Sequence, residues 1–145
     1  MIDVLKKSTS SMDSHHSVNM AGIDNSNPSY YLKWIIDTGA IDHMISNSNH
    51  LHVGKVMKHA GNVQLPTGES ATVTHIGSIQ LNETEMINGV LCIPSFKFNL
   101  LSIHKLTKGL NCSVSFFPTY CVFQDLLSGN VKGIGEVEDG LYVMK

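Results

Sequence analysis

The chain contains no arginine, one tryptophan and three cysteines. Each shortage removes a class of function. A nucleic-acid-binding domain needs clustered positive charge, yet the net charge is -2 and Lys6-Lys7 is the one adjacent basic pair. Three cysteines form no closely spaced pair, which excludes a disulfide framework and any zinc spacing. Free thiols fit a reducing compartment. No apolar run is long enough to cross a bilayer. The start, Met1 to Lys7, lacks the apolar core of a signal peptide. The expectation is an intracellular, cytoplasmic protein without membrane contact. No Gly-x-Ser-x-Gly elbow supports a serine hydrolase. Eight histidines are scattered without metal-ligand spacing, so neither a metal nor a cofactor is expected.

What remains is 145 residues with 42% hydrophobic content, enough for one packed domain. Residues 1–30 are polar, with Ser8-Thr9-Ser10-Ser11 and Asn25-Ser26-Asn27-Pro28-Ser29, and read as a disordered linker. From residue 31 the chain reads as a succession of short strands. They are expected at Leu32–Ile36, His52–Met57, Ala71–Leu81, Met86–Ile93 and Asn99–Leu101. Further strands are expected at Cys112–Phe117, Tyr120–Leu126, Val131–Val137 and Leu141–Met144. Pro66-Thr67-Gly68-Glu69, Ser128-Gly129-Asn130 and Asp139-Gly140 are turn signals, and Gly77 suggests a bulge. Ile103, Leu106 and Leu110 fall on one helical face, with Ser102 as N-cap and Gly109 as the expected stop. The sum is a mostly β fold with one short helix, expected to close into a small barrel. Residues 31–117 form the expected domain, and residues 118–145 a β-hairpin extension.

The most informative stretch is Trp34-Ile35-Ile36-Asp37-Thr38-Gly39-Ala40. An apolar strand ends on a carboxylate, followed at once by small residues. Hydrolysis of an amide by carboxylates uses two of them around one water, sharing a proton because like charges so close cannot both ionise. The ionised member takes a proton from the water, and the protonated member hydrogen-bonds the carbonyl oxygen. Asp37 is the candidate for one half of such a pair. Gly39 lets the backbone turn close behind it, and the Thr38 hydroxyl can hydrogen-bond across to a partner loop. Asp42 leaves the turn in another direction and reads as an exposed or salt-bridged residue. With a single such motif, the site has to be built from two copies of the chain.

Several motifs in order carry a family resemblance. Residues Trp34 to Met44, Val63-Gln64-Leu65-Pro66-Thr67-Gly68, His75 to Ile79 and Val90 to Ser102 resemble the protease segment of Ty1/copia-type retrotransposon polyproteins. Phe98 to Phe116 is similar to the end of a retroviral protease, and Gly140 to Met144 to the start of the segment leading toward the integrase. The resemblance spans residues 34–145. It implies a retropepsin-like barrel acting as a homodimeric aspartic endopeptidase on its own polyprotein. Asp37, Thr38 and Gly39 match the catalytic motif, and Pro66, Thr67 and Gly68 fall at the flap. Leu100 and Leu101 would then pack under the catalytic loop. Virus-like particles are the implied setting of an active element. The competing expectation is a catalytically inactive β-barrel module, left from a transposon and used for protein interaction.

Overall fold

Trp34-Ile35-Ile36 enters the interior on both faces. Strand alternation sends Trp34 and Ile36 into one core cluster and Ile35 into a second. A strand buried on both faces belongs in the middle of a sheet, and this one has a neighbour on each side. A computed structural model describes residues 32–145 apart from 53 and 66, with backbone alone for 55–60; the expected linker 1–30 lies outside the described residues.

The strands are β1 (Trp34–Asp37), β2 (Met44–Ile45), β3 (Lys55–Gln64), β4 (Ser70–Gln80), β5 (Met86–Cys92) and β6 (Asn99–Ser102). Helix α1 (Ile103–Leu110) follows, then β7 (Cys112–Phe116), β8 (Tyr120–Asp125), β9 (Val131–Glu138) and β10 (Leu141–Met144). All ten strands form one sheet in the order β3-β4-β5-β2-β6-β1-β10-β9-β8-β7. The centre is built from chain-distant pieces. β6 lies parallel to β1, with Leu100 opposite Ile35, Leu101 opposite Ile36 and Ser102 opposite Asp37. β10 pairs with the other edge of β1, antiparallel. Leu100 and Leu101 are fully buried beside β1, as the packing role requires. Truncating Leu101 to Ala would cost on the order of 2–5 kcal/mol.

The mostly β composition with one short helix agrees with the sequence, but the sheet does not close. Among the described residues β3 pairs only with β4, and β7 only with β8, so two hairpins stand as edges instead of joining each other. Residues 118–145 supply three strands of this same sheet, and Cys121 and Phe123 share a core cluster with Trp34. Two local expectations also shift. The helix runs through Gly109 to Leu110, and Asn111 ends it at φ 49° and ψ 52°, its N–H bonded to the Thr107 carbonyl. Asparagine tolerates the left-handed conformation well enough to take the place glycine usually fills. The second strand is Met44–Ile45, and the strand expected at His52–Met57 is β3, starting at Lys55 and running on to Gln64.

Other local features follow their sequence signals. Ser102 caps α1 by accepting the Lys105 N–H. The β4–β5 register shifts between Gly77 and Ile79. Asp139 and Gly140 both take positive φ, 50° and 81°, in the β9–β10 turn, as a two-residue hairpin of the primed type requires. Cys92, Cys112 and Cys121 are free and buried on strands, and burial pushes the Cys112 and Cys121 thiols up.

Candidate active site

β1 carries Asp37 to its very end, where the interior meets a turn. The carboxylate folds back on its own loop: Oδ1 accepts the Gly39 N–H at 2.7 Å. That bond orients the carboxylate before any ligand arrives. Oδ2 is buried and has no hydrogen-bond partner among the described residues. Thr38 and Gly39 are exposed, while Asp37 and Ala40 on either side are buried.

A buried polar cluster fixes the loop from the β6 side. The Ser102 hydroxyl donates to the Ala40 carbonyl at 2.7 Å and accepts the Lys105 N–H at 3.2 Å. The Ser102 backbone N–H donates to His43 Nδ1 at 3.0 Å. A backbone N–H can only donate, so Nδ1 is unprotonated and the neutral ring carries its hydrogen on Nε2. Burial, aided by the nearby Lys105 charge and opposed by Asp42, lowers the His43 pKa from 6.5 to about 4. Lys105 also pairs with Asp42 at 2.5 Å and donates to the Gly89 carbonyl at 3.3 Å. Asp42 is thus a salt-bridged partner of the helix, not a second carboxylate for Asp37.

His43 and Ser102 are the two residues that sequence reasoning missed in these roles. His43 sat within the quoted motif, directly before apolar Met44-Ile45, but read as one scattered histidine among eight. Ser102 was legible only as a helix cap. Its link to the Asp37 loop exists because β6 pairs with β1 across more than sixty residues of sequence, shown by the Ser102–Ala40 separation of 62.

The residues expected at the flap sit elsewhere. Thr67 and Gly68 are exposed at the β3–β4 hairpin, closed by Leu65 N–H to Glu69 O at 2.7 Å and Gly68 N–H to Leu65 O at 2.9 Å. Gly68 takes φ +88°, which only glycine adopts freely. Pro66 lies outside the described residues. A cavity of about 240 Å³ adjoins Asp37 and Thr38, walled by Phe116, Gly140, Leu141 and Tyr142, and neither Thr67 nor Gly68 lines it. A larger one, about 550 Å³, lies between the helix and the Ile41–His43 loop and does not reach Asp37.

Among the described residues no helix is long and apolar enough to cross a membrane. Comparison with known proteins gives the family. Residues 34–110 match the model of the Pol polyprotein beta-barrel domain. Over 112 residues the chain is 31% identical to the Retrovirus-related Pol polyprotein from transposon RE2 of Arabidopsis thaliana, and 29% identical to that from transposon RE1. Each match covers 75% of this chain but only 8% of the relative, so the chain spans a small part of those polyproteins. The matched segment holds β1 with Asp37, the β3–β4 hairpin, β6 and α1, and by it this chain belongs to the Pol polyprotein beta-barrel domain family of retrotransposon polyproteins.

Proposed function

We propose that the domain is half of an aspartic endopeptidase, completed when the Asp37 of a second copy faces the first. The observation that carries this reading is the state of the carboxylate. Oδ1 is held by the Gly39 N–H at 2.7 Å, and Oδ2 is left without a donor among the described residues. A buried carboxylate oxygen without a partner is costly, and such an oxygen is suited to share a proton with another carboxylate. In the dimer the ionised member takes a proton from water, which attacks the peptide carbonyl; the protonated member hydrogen-bonds the developing oxyanion. Thr38 hydrogen-bonds across the twofold axis. The β3–β4 hairpin, with Thr67 and Gly68 at its tip, closes over an extended substrate and pairs with its backbone. The substrate is the polyprotein that carries the domain.

The test is a fusion of the domain with its flanking polyprotein sequence, in wild-type and Asp37→Asn forms. The wild type releases fragments and Asp37→Asn does not. Specific activity falls on dilution, because the site is shared. Equal processing by both forms, or undiminished activity in a strict monomer, would refute the shared dyad. A folded, inactive wild type would leave the module as a non-catalytic protein-interaction domain.

A further inference from the structure

The Asp37 carboxylate is closed in. The residue is 6% exposed, and its Oδ2 has less than 1 Å² of surface. The wall beside it comes from the far end of the chain. β10 runs antiparallel to β1 with Val143 opposite Ile35, so the start of β10 lies toward the Asp37 end of β1. The Asp139-Gly140 turn therefore stands at the Thr38 end of the loop, and Gly140, Leu141 and Tyr142 share a cavity wall with Asp37.

We propose that the tip of the β9–β10 hairpin is an intramolecular cover over Asp37, and that a second copy of this chain reaches the same face only after the tip has moved aside. The inference rests on Asp37 being half of a dyad. Two carboxylates that share a proton must approach to hydrogen-bonding distance, and a hairpin tip standing beside one of them narrows that approach.

The β10 side of β1 carries the shorter ladder. β10 is joined to β1 by a single register pair, whereas β6 is joined to β1 by four. A cavity of about 240 Å³ is lined by both the tip and the Asp37-Thr38 loop, so the two are not fully packed together. The base is fixed: Val143 is buried, and Gly135 packs closely against Ile36 and Cys121. Leu141 packs against the Ile35 core cluster and Tyr142 against the Trp34 cluster, and further side-chain contacts hold the closed tip. Glu138 pairs with Lys33 at 2.9 Å, the Tyr142 hydroxyl donates to the Phe117 carbonyl at 2.6 Å, and Tyr142 meets the Phe116 ring edge-on at 5.0 Å. The first is an exposed ion pair of small worth.

Carboxylate footprinting reads the cover without needing catalysis. The full chain, diluted to monomer, is treated with a carbodiimide and glycine ethyl ester, and modification is located by mass spectrometry. Wild-type Asp37 should react about tenfold slower than exposed Glu69 and Glu83, because reaction waits on local opening. Leu141→Ser should speed Asp37 modification about tenfold and raise the dimer fraction in sedimentation. Glu138→Gln alters only exposed ion pairs; it gives a smaller rise, about twofold, and carries the test where Leu141→Ser does not fold. Wild-type Asp37 reacting as fast as Glu69 would overturn the cover. So would folded variants that react no faster, or a wild-type dimer that pairs Asp37 with the hairpin still closed. Faster modification without any processing keeps the cover and refutes the protease; processing with a freely modified wild-type Asp37 does the reverse.

Discussion

Acidification should weaken this fold through one identifiable group. His43 is 2% exposed, its Nδ1 accepts the Ser102 N–H, and its pKa falls from 6.5 to about 4. Charging the ring places a hydrogen on Nδ1, where a donor already points, beside the Lys105 ammonium. The sign follows from proton counting. Between about pH 6.5 and 4 the unfolded chain binds a proton at this residue and the folded chain does not, so stability falls as pH falls through that window. At about 1.4 kcal/mol per pKa unit, going from pH 7.5 to 4.5 should cost about 2.5 kcal/mol through His43 alone. Trp34 is the single tryptophan and is 1% exposed, so its fluorescence reports unfolding in urea. Carboxylates elsewhere titrate in the same range, which makes the comparison with His43→Gln the decisive one. Glutamine accepts the Ser102 N–H through its side-chain oxygen and does not titrate. The wild type should lose about 2.5 kcal/mol more than His43→Gln over this interval. Equal losses, to within about 0.5 kcal/mol, would refute a neutral, proton-excluding His43.

Two further substitutions probe the same region. Ser102→Ala removes the helix cap and strands the buried Ala40 carbonyl; urea midpoints should show a loss of about 2–4 kcal/mol, with the Asp37 loop exchanging amide hydrogens faster. Gly135→Ala places a Cβ at 2.5 Å from Ile36 Cδ1 and 2.6 Å from Cys121 Sγ, so thermal melting should register about 1–3 kcal/mol of overpacking.

The strand that delivers Asp37 was legible because three apolar residues meet a carboxylate and then small residues, a purely local pattern. The hairpin turns at Gly68, Gly129 and Asp139-Gly140 were legible for the same reason: positive φ demands particular residues. β2 was not, since two residues show no period. Sheet order was not, since the register of β6 and β10 on β1 depends on which apolar faces pack best across the whole fold. Asn111 in place of Gly109 shows the limit of a single signal. Glycine is tolerated inside a helix at about 1 kcal/mol, so its presence marks a permitted stop, and the next residue able to adopt the left-handed region takes it.

These non-local pairings make the two sides of the Asp37 loop unequal. On the β6 side the loop is locked by buried hydrogen bonds from Ser102 to Ala40 and His43, and by a four-pair parallel ladder. Rearranging that side exposes polar groups that only the folded structure satisfies, which is expensive. On the β10 side a single register pair, an exposed ion pair and a hairpin tip over a cavity stand against the same strand. On the proposed reading, the motion that brings Oδ2 a partner occurs on the β10 side, with the Gly39 bond to Oδ1 and the Ser102 cluster unchanged. The carboxylate is oriented by the rigid side and gated by the weak one, so substitutions at Ser102 should act through the position of Asp37, and substitutions at Leu141 through access to it.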